Sequence, residues 1–209
     1  MSGTDRDRAV LYQAAAHCLV YPDAEFLARL PLVRAAVDGL AGRAAGLLRP
    51  FLAYAAATPP ADLAAHYVQV FDFRNRHCLH LSWWRDGDTR RRGSSLVRFK
   101  EAYRAHGLEF DGRELPDFLP AVLEFGAATG CTDLLTEHRA GLELLRLALA
   151  EADTPYAGVP AAVCATLPGP SPRDRAEARA LARGGPPREE VGMEPYGRPG
   201  LLPVLNGEA

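Results

Sequence analysis

The sequence predicts an all-α chain, a single helical bundle over residues 1–184 followed by an extended or disordered tail over 185–209. Three observations lead there. Apolar residues recur three and four positions apart in window after window, the spacing that lines one face of a 3.6-residue helix. Proline and glycine punctuate those windows at Tyr21-Pro22-Asp23, Thr58-Pro59-Pro60 and Leu167-Pro168-Gly169-Pro170. No alternating pair of runs flanks a hairpin turn, no strand–helix alternation supports a parallel sheet, and no solenoid-length repeat is visible.

Each element follows from its own pattern. Thr4 is placed to cap a first helix in which Val10, Leu11, Ala14, Ala15, Cys18 and Leu19 fall on one face. Asp23 and Pro31 are each expected to start a short helix, because proline at the first helical position loses no hydrogen bond. Ala44–Ala57 and Ala61–Phe73 read as two helices of a hairpin. Between Arg74 and Asp88 the helical period vanishes, which predicts a loop. It returns from Arg91 to His106, with Leu96, Phe99 and Tyr103 on one face and Gly107 as the stop. Asp117 is the expected cap of a helix running to Ala128 with Pro120 in its first turn. From Cys131 through Leu134, Leu135, His138, Leu142 and Leu145 to Leu149 runs the longest stripe, expected as one central core helix. Pro155–Ala165 is a short helix, and the alanine-rich Asp174–Arg183 an exposed one. The proline- and glycine-rich tail retains Val191, Met193, Tyr196, Leu201, Leu202, Val204 and Leu205, apolar residues suited to docking on a groove.

Composition narrows the function. The chain is 48% hydrophobic and 24% charged, an ordinary globular balance. With a net charge of −2 it lacks the broad cationic field of a nucleic-acid or anionic-membrane binder. Lys100 is the sole lysine, so an arginine cluster partly reflects a chain-wide arginine bias. Four widely spaced cysteines, Cys18, Cys78, Cys131 and Cys164, suit a reducing compartment. Neither a secretory leader nor a membrane-spanning stretch is encoded, so a soluble cytoplasmic protein is expected.

Enzyme signatures are missing: there is no phosphate loop, dinucleotide fingerprint, nucleophile elbow or His-Glu-x-x-His pair. Two clusters invite other readings. His77, Cys78 and His80 are potential metal ligands, but no second short-spaced pair completes a shell, and no metal or cofactor is expected. Asp88-Thr89-Arg90-Arg91-Arg92-Gly93 places cations at a helix start, against the helix dipole. Asp86 and Asp88 pair with those arginines in the structural reading. In the functional reading the arginines, Arg85 among them, hold an acidic partner, phosphate or nucleic acid. The absence of a recognition-helix pattern disfavours DNA.

Four segments taken together carry a resemblance. Tyr67-Val68-Gln69-Val70-Phe71-Asp72, Leu79-His80-Leu81-Ser82-Trp83-Trp84, Gly87-Asp88-Thr89-Arg90-Arg91-Arg92-Gly93 and Glu114-Leu115-Pro116-Asp117-Phe118-Leu119-Pro120 resemble, in order and spacing, the delta-subunit family of respiratory nitrate reductase. These are assembly chaperones of the NarJ type, and the likeness extends from about Tyr12 to Leu167. The resemblance implies the helical fold of the TorD-like redox-enzyme maturation chaperones and no catalytic activity. It implies a protein that holds the unassembled catalytic alpha subunit by its N-terminal segment until the molybdenum cofactor and iron–sulfur clusters are inserted. It further implies no stable membrane association; the charge balance argues against a nucleic-acid partner, and the chain is expected as a monomer or dimer.

Residue by residue, Tyr67 and Phe71 match the family's first motif, Asp88, Arg90 and Gly93 its second, and Glu114, Pro116 and Asp117 its third, with Leu115-Pro116 as a hinge. Phe73-Arg74-Asn75-Arg76 replaces the Gly-Pro-Gly turn of other branches, and Trp83-Trp84 replaces smaller aromatics. A groove between helices takes an amphipathic segment through apolar anchors. The expected apolar contacts are Tyr67, Phe71, Trp83 and Phe118, with Asp88, Arg90, Glu114 and Asp117 orienting the segment. Tyr67 and Phe71, four apart on one helix, equally suit the core.

Overall fold

The computed structural model describes residues 3–73, 75–110, 112 and 114–183. The tail expected at 185–209 lies outside them. The described residues form an all-α bundle of eleven helices, and the one β-type pairing among them is an isolated antiparallel bridge between His80 and Phe118.

α1 (Gly3–Cys18) is the central helix, packing against α2 (Ala24–Asp38), α3 (Arg43–Ala57), α7 (Leu119–Thr129) and α10 (Gly158–Cys164). Its buried face carries Leu11, Ala14, Ala15 and Cys18 as expected, and also Tyr12 and Ala16. Four neighbours around one helix require small residues, and the alanines supply that room. Thr4 lies inside this helix and not before it.

Asp23 caps α2, its carboxylate accepting from Phe26 N at 2.9 Å. Pro31 starts no second helix. It lies inside α2 at an exposed position. α3 packs on α10 and α2 rather than along α4 (Pro60–Phe71), so the expected hairpin is open. The two helices meet at Tyr54, whose hydroxyl lies 2.6 Å from His66 Nδ1, while His66 Nε2 reaches Thr154 Oγ1 at 3.2 Å.

The expected loop after α4 contains a 3-10 turn at Asn75–His77 and a single helical turn, α5 (Trp83–Asp86). α6 (Arg90–Ala105) buries Ser95, Phe99 and Tyr103, leaving Leu96 half-buried. It ends at Gly107 (φ 72°), with Gly107 N bonded to Arg104 O and Leu108 N to Tyr103 O, the paired bonds that close a helix on a left-handed glycine.

The long stripe is not one helix. It bends at His138 (φ −99°, ψ 16°), dividing α8 (Asp133–Glu137) from α9 (Arg139–Glu151). The bend lets α8 contact α7 while α9 runs along α10 and α11 (Arg175–Arg183). α11 is therefore docked, with Ala178 fully buried and Arg175 paired to Glu151 at 2.7 Å. The approach to it is strapped down by buried charge. Glu143, fully buried, accepts from Arg146 Nε at 2.5 Å. Arg139 donates to Gly169 O and Pro170 O, and Arg146 to Pro172 O.

His138 itself gives a pH prediction. Its Nδ1 lies 3.0 Å from Leu134 O and so carries the proton, while Nε2 is buried with no partner. Burial pushes its pKa below the ordinary 6.5. A histidine depressed on folding contributes stability that is complete above the unfolded value and is lost as pH falls below it. The melting temperature is expected to drop between pH 7 and 5.5, and His138→Gln to flatten part of that slope. A slope unchanged in the variant would assign the pH dependence to other groups.

Candidate functional site

The segment 108–118, which joins α6 to α7, builds the site. Pro120 has no N–H to satisfy, and Leu119 N is taken by Leu79 O at 2.8 Å. The first turn of α7 thus needs no carboxylate cap. Asp117 accordingly is not the N-cap, a position held by Phe118. Its side chain turns inward, fully buried, where Oδ2 accepts from Ser82 Oγ at 2.5 Å and Ser82 N at 3.2 Å. Arg92 approaches the same oxygen at 3.7 Å and donates to Ser82 Oγ at 3.3 Å. Asp117 O accepts from Leu81 N, completing a short two-stranded clasp between 79–82 and 117–119.

Pro116 is buried behind the segment, its carbonyl accepting from Tyr103 Oη at 2.6 Å. Burial raises the Tyr103 phenol, so this donor stays protonated. Glu114 and Leu115 lie exposed.

In front of the clasp is a groove of about 500 Å³. One wall is Val20 just after α1 and the floor is one face of α7, where Ala121, Glu124, Phe125 and Ala128 recur at i, i+3, i+4 and i+7. The other wall is Tyr103, Leu108, Phe110 and Phe118. Glu109, Glu114 and Glu124 are its charged lining residues. Partial burial raises the Glu124 carboxyl, and Arg29 and Gln13 hold it back. An apolar channel with three carboxylates suits a segment that has an apolar stripe and cationic edges.

The sequence-predicted site divides accordingly. Glu114 and Phe118 line the groove, and Asp117 and Pro116 hold its wall from behind without lining it. Tyr67 and Phe71 belong to the aromatic core, Tyr67 donating to Leu19 O at 3.1 Å and both rings packing on Tyr156. Trp83 is half-buried on α5, and Asp88 and Arg90 are exposed; none of the three lines the groove.

The arginines separate as well. Arg92 turns inward to Ser82 and Asp117, while Asp86, not Asp88, takes Arg85 at 3.3 Å and Ser95 at 2.6 Å. His77 is buried with Nδ1 2.7 Å from Val70 O, and Cys78 Sγ lies 3.7 Å from His80 Nδ1. No group of three histidine, cysteine or acidic side chains among the described residues is placed to hold a metal ion.

Comparison with known proteins places this arrangement. The family model for the nitrate reductase delta subunit matches residues 35–161. The nitrate reductase-like protein NarX of Mycobacterium tuberculosis is 38% identical over 160 residues, covering 75% of this chain but only 24% of NarX. NarJ of Bacillus subtilis, named as a nitrate reductase molybdenum cofactor assembly chaperone, is 35% identical over 123 residues, 58% of this chain and 67% of that protein. A crystal structure of a redox enzyme maturation protein from Archaeoglobus fulgidus superposes with a TM-score of 0.55 at 20% identity, covering 88% of this chain and 94% of that one, a likeness of fold. On the match across its central helices and on these relatives, the chain belongs to the nitrate reductase delta subunit family.

Proposed function

We propose that this chain is an assembly chaperone without catalytic activity of its own. It holds the catalytic alpha subunit of a nitrate reductase by its N-terminal segment while the molybdenum cofactor and iron–sulfur clusters are inserted. The observation that carries the reading is the groove, apolar along α7 and edged by Glu109, Glu114 and Glu124, in a chain of this family. Ala121 and Ala128 leave the space that large side chains of a bound helix or strand fill. Four free cysteines fit action in a reducing cytoplasm, and no described helix is long and apolar enough to cross a membrane.

Titration calorimetry with a peptide of the alpha subunit's N-terminus tests this. The peptide is expected to bind, and Glu109→Lys, Glu114→Lys and Glu124→Lys combined to weaken it at least ~10-fold, since each rim charge contributes about 0.5–1 kcal/mol. The helical circular-dichroism signal is expected to stay unchanged, because Glu109 and Glu114 are exposed and Glu124 gives up only its contacts with Gln13 and Arg29. Equal affinity for the triple variant would move the site off the groove, and no binding to either protein would end the proposal.

A further inference from the structure

The sequence beyond Arg183 is uneven in charge. Glu189, Glu190 and Glu194 come early, whereas Tyr196–Asn206 contains no acid, one cation (Arg198) and the apolar residues Leu201, Leu202, Val204 and Leu205. Leu201, Leu202, Val204 and Leu205 are four large aliphatic side chains flanking Pro203, a residue that is costly inside a helix. Left in water they forgo about 1.5–3 kcal/mol each relative to burial. The groove offers the matching surface: an apolar floor at Ala121, Phe125 and Ala128, and glutamates to meet Arg198. Reach permits it. The residues from 184 to 200 span up to about 58 Å, against a diameter of about 40 Å for a globule of this size.

We infer that Tyr196–Asn206 of this same chain occupies the groove when no partner is bound, its leucines on the α7 floor and Arg198 against the glutamate rim. The partner segment then binds by displacing it, and this rests on the groove being the partner site proposed above. Tethering gives an effective concentration of about 1 mM. A segment that binds at about 0.1 mM when free would therefore hold the tethered groove ~10:1 and weaken the partner's apparent affinity about 10-fold. Such a plug covers the apolar groove until a client arrives.

The test compares the full-length chain with full-length Leu202→Asp/Leu205→Asp, and uses two probes, a synthetic Tyr196–Asn206 peptide and the alpha-subunit N-terminal peptide. In hydrogen exchange, residues 108–128 are expected to be less protected in the variant, and the added tail peptide to restore protection. In calorimetry the alpha-subunit peptide is expected to bind the variant about 10-fold more tightly, and Arg198→Glu to give a smaller gain in the same direction. Equal affinities with no protection by the tail peptide overturn the inference and leave the chaperone reading standing. Protection by the tail peptide with no binding of the alpha-subunit peptide to either protein does the reverse. Protection that appears only in a concentration-dependent dimer, lost in the variant, also overturns it, because the groove would then be filled by a second copy.

Discussion

Gly158→Ala is expected to lower the melting temperature by about 8 °C, corresponding to about 3 kcal/mol for a domain of this size. Gly158 opens α10 with ordinary helical angles (φ −63°, ψ −27°), so alanine meets no backbone strain, and helix propensity alone would favour it by about 1 kcal/mol. The obstacle is contact. A Cβ at this position lies 2.4 Å from Leu47 O, a backbone atom of α3 that no rotamer change can move. α10 would have to draw away from α3, opening the core around Leu48, Phe51 and Val159, all fully buried. Two other glycines calibrate the result. A Cβ at Gly141 meets Trp84 Cβ at 2.7 Å, an atom held by its own backbone, so Gly141→Ala is also expected to destabilise, but by less because the approach is wider than the 2.4 Å at Gly158. Gly93, with nothing near its missing Cβ, is expected to gain up to ~1 kcal/mol as alanine. Thermal unfolding in the order 158, 141, 93 checks the argument, and a neutral Gly158→Ala would mean that the α3–α10 approach is not tight in solution.

These glycines show where the sequence is legible. A helical face announces itself through period, and for that reason Leu11, Ala14, Cys18 and Phe99, expected on one face of their helices, and Leu142 and Leu149, expected on the core stripe, are all buried. A close helix approach announces nothing, because the glycine that permits it is read locally as a breaker, and its partner is more than a hundred residues away. The bend at His138 is hidden likewise, since the apolar stripe continues on both sides of it. At Pro31 the local rule failed because α2 is already under way from its Asp23 cap, and the proline sits inside it at an exposed position.

For the groove, Glu114 is marked by the family resemblance and Phe118 by the expectation of apolar anchors, but the floor is not marked. Its signal was present in α7, where Ala121, Glu124 and Ala128 are small or charged on one face while Leu119, Val122 and Leu123 fill the other. That asymmetry reads as an ordinary solvated face until Leu108, Phe110 and Phe118 are seen to wall it. Tyr67 and Phe71 went the other way. Aromatics four apart suit a groove and a core equally, and the Tyr67 hydroxyl on Leu19 O, with Tyr156 against both rings, puts them in the core.

Asp117→Ala is expected to be nearly as damaging as Gly158→Ala, and to act on binding as well as stability. The carboxylate is fully buried and joins three chain segments: its own, the 79–82 segment through Ser82, and α6 through Arg92. Removing it leaves the Ser82 hydroxyl and backbone N–H without their acceptor and Arg92 beside an uncharged cavity. Breaking such a buried, charge-assisted set costs about 2–4 kcal/mol. Asp117→Asn keeps one acceptor for Ser82 but loses the attraction to Arg92, so about half that loss is expected. Ser82→Ala removes the other end of the same bond, and the double variant Asp117→Ala/Ser82→Ala is expected to fall short of the sum of the singles by about 1 kcal/mol or more. Because Asp117 lines no part of the groove but fixes the segment that carries Glu114 and Phe118, its loss is expected to reach the proposed partner site through the wall. Hydrogen exchange is expected to quicken at Leu81 and Leu119, whose N–H groups make the clasp, before it quickens in α1 or α9. Affinity for the alpha-subunit peptide should fall in step with that local opening, and Asp117→Asn should recover part of both. Local opening without any loss of affinity would separate the clasp from the binding wall and leave Asp117 a purely structural residue.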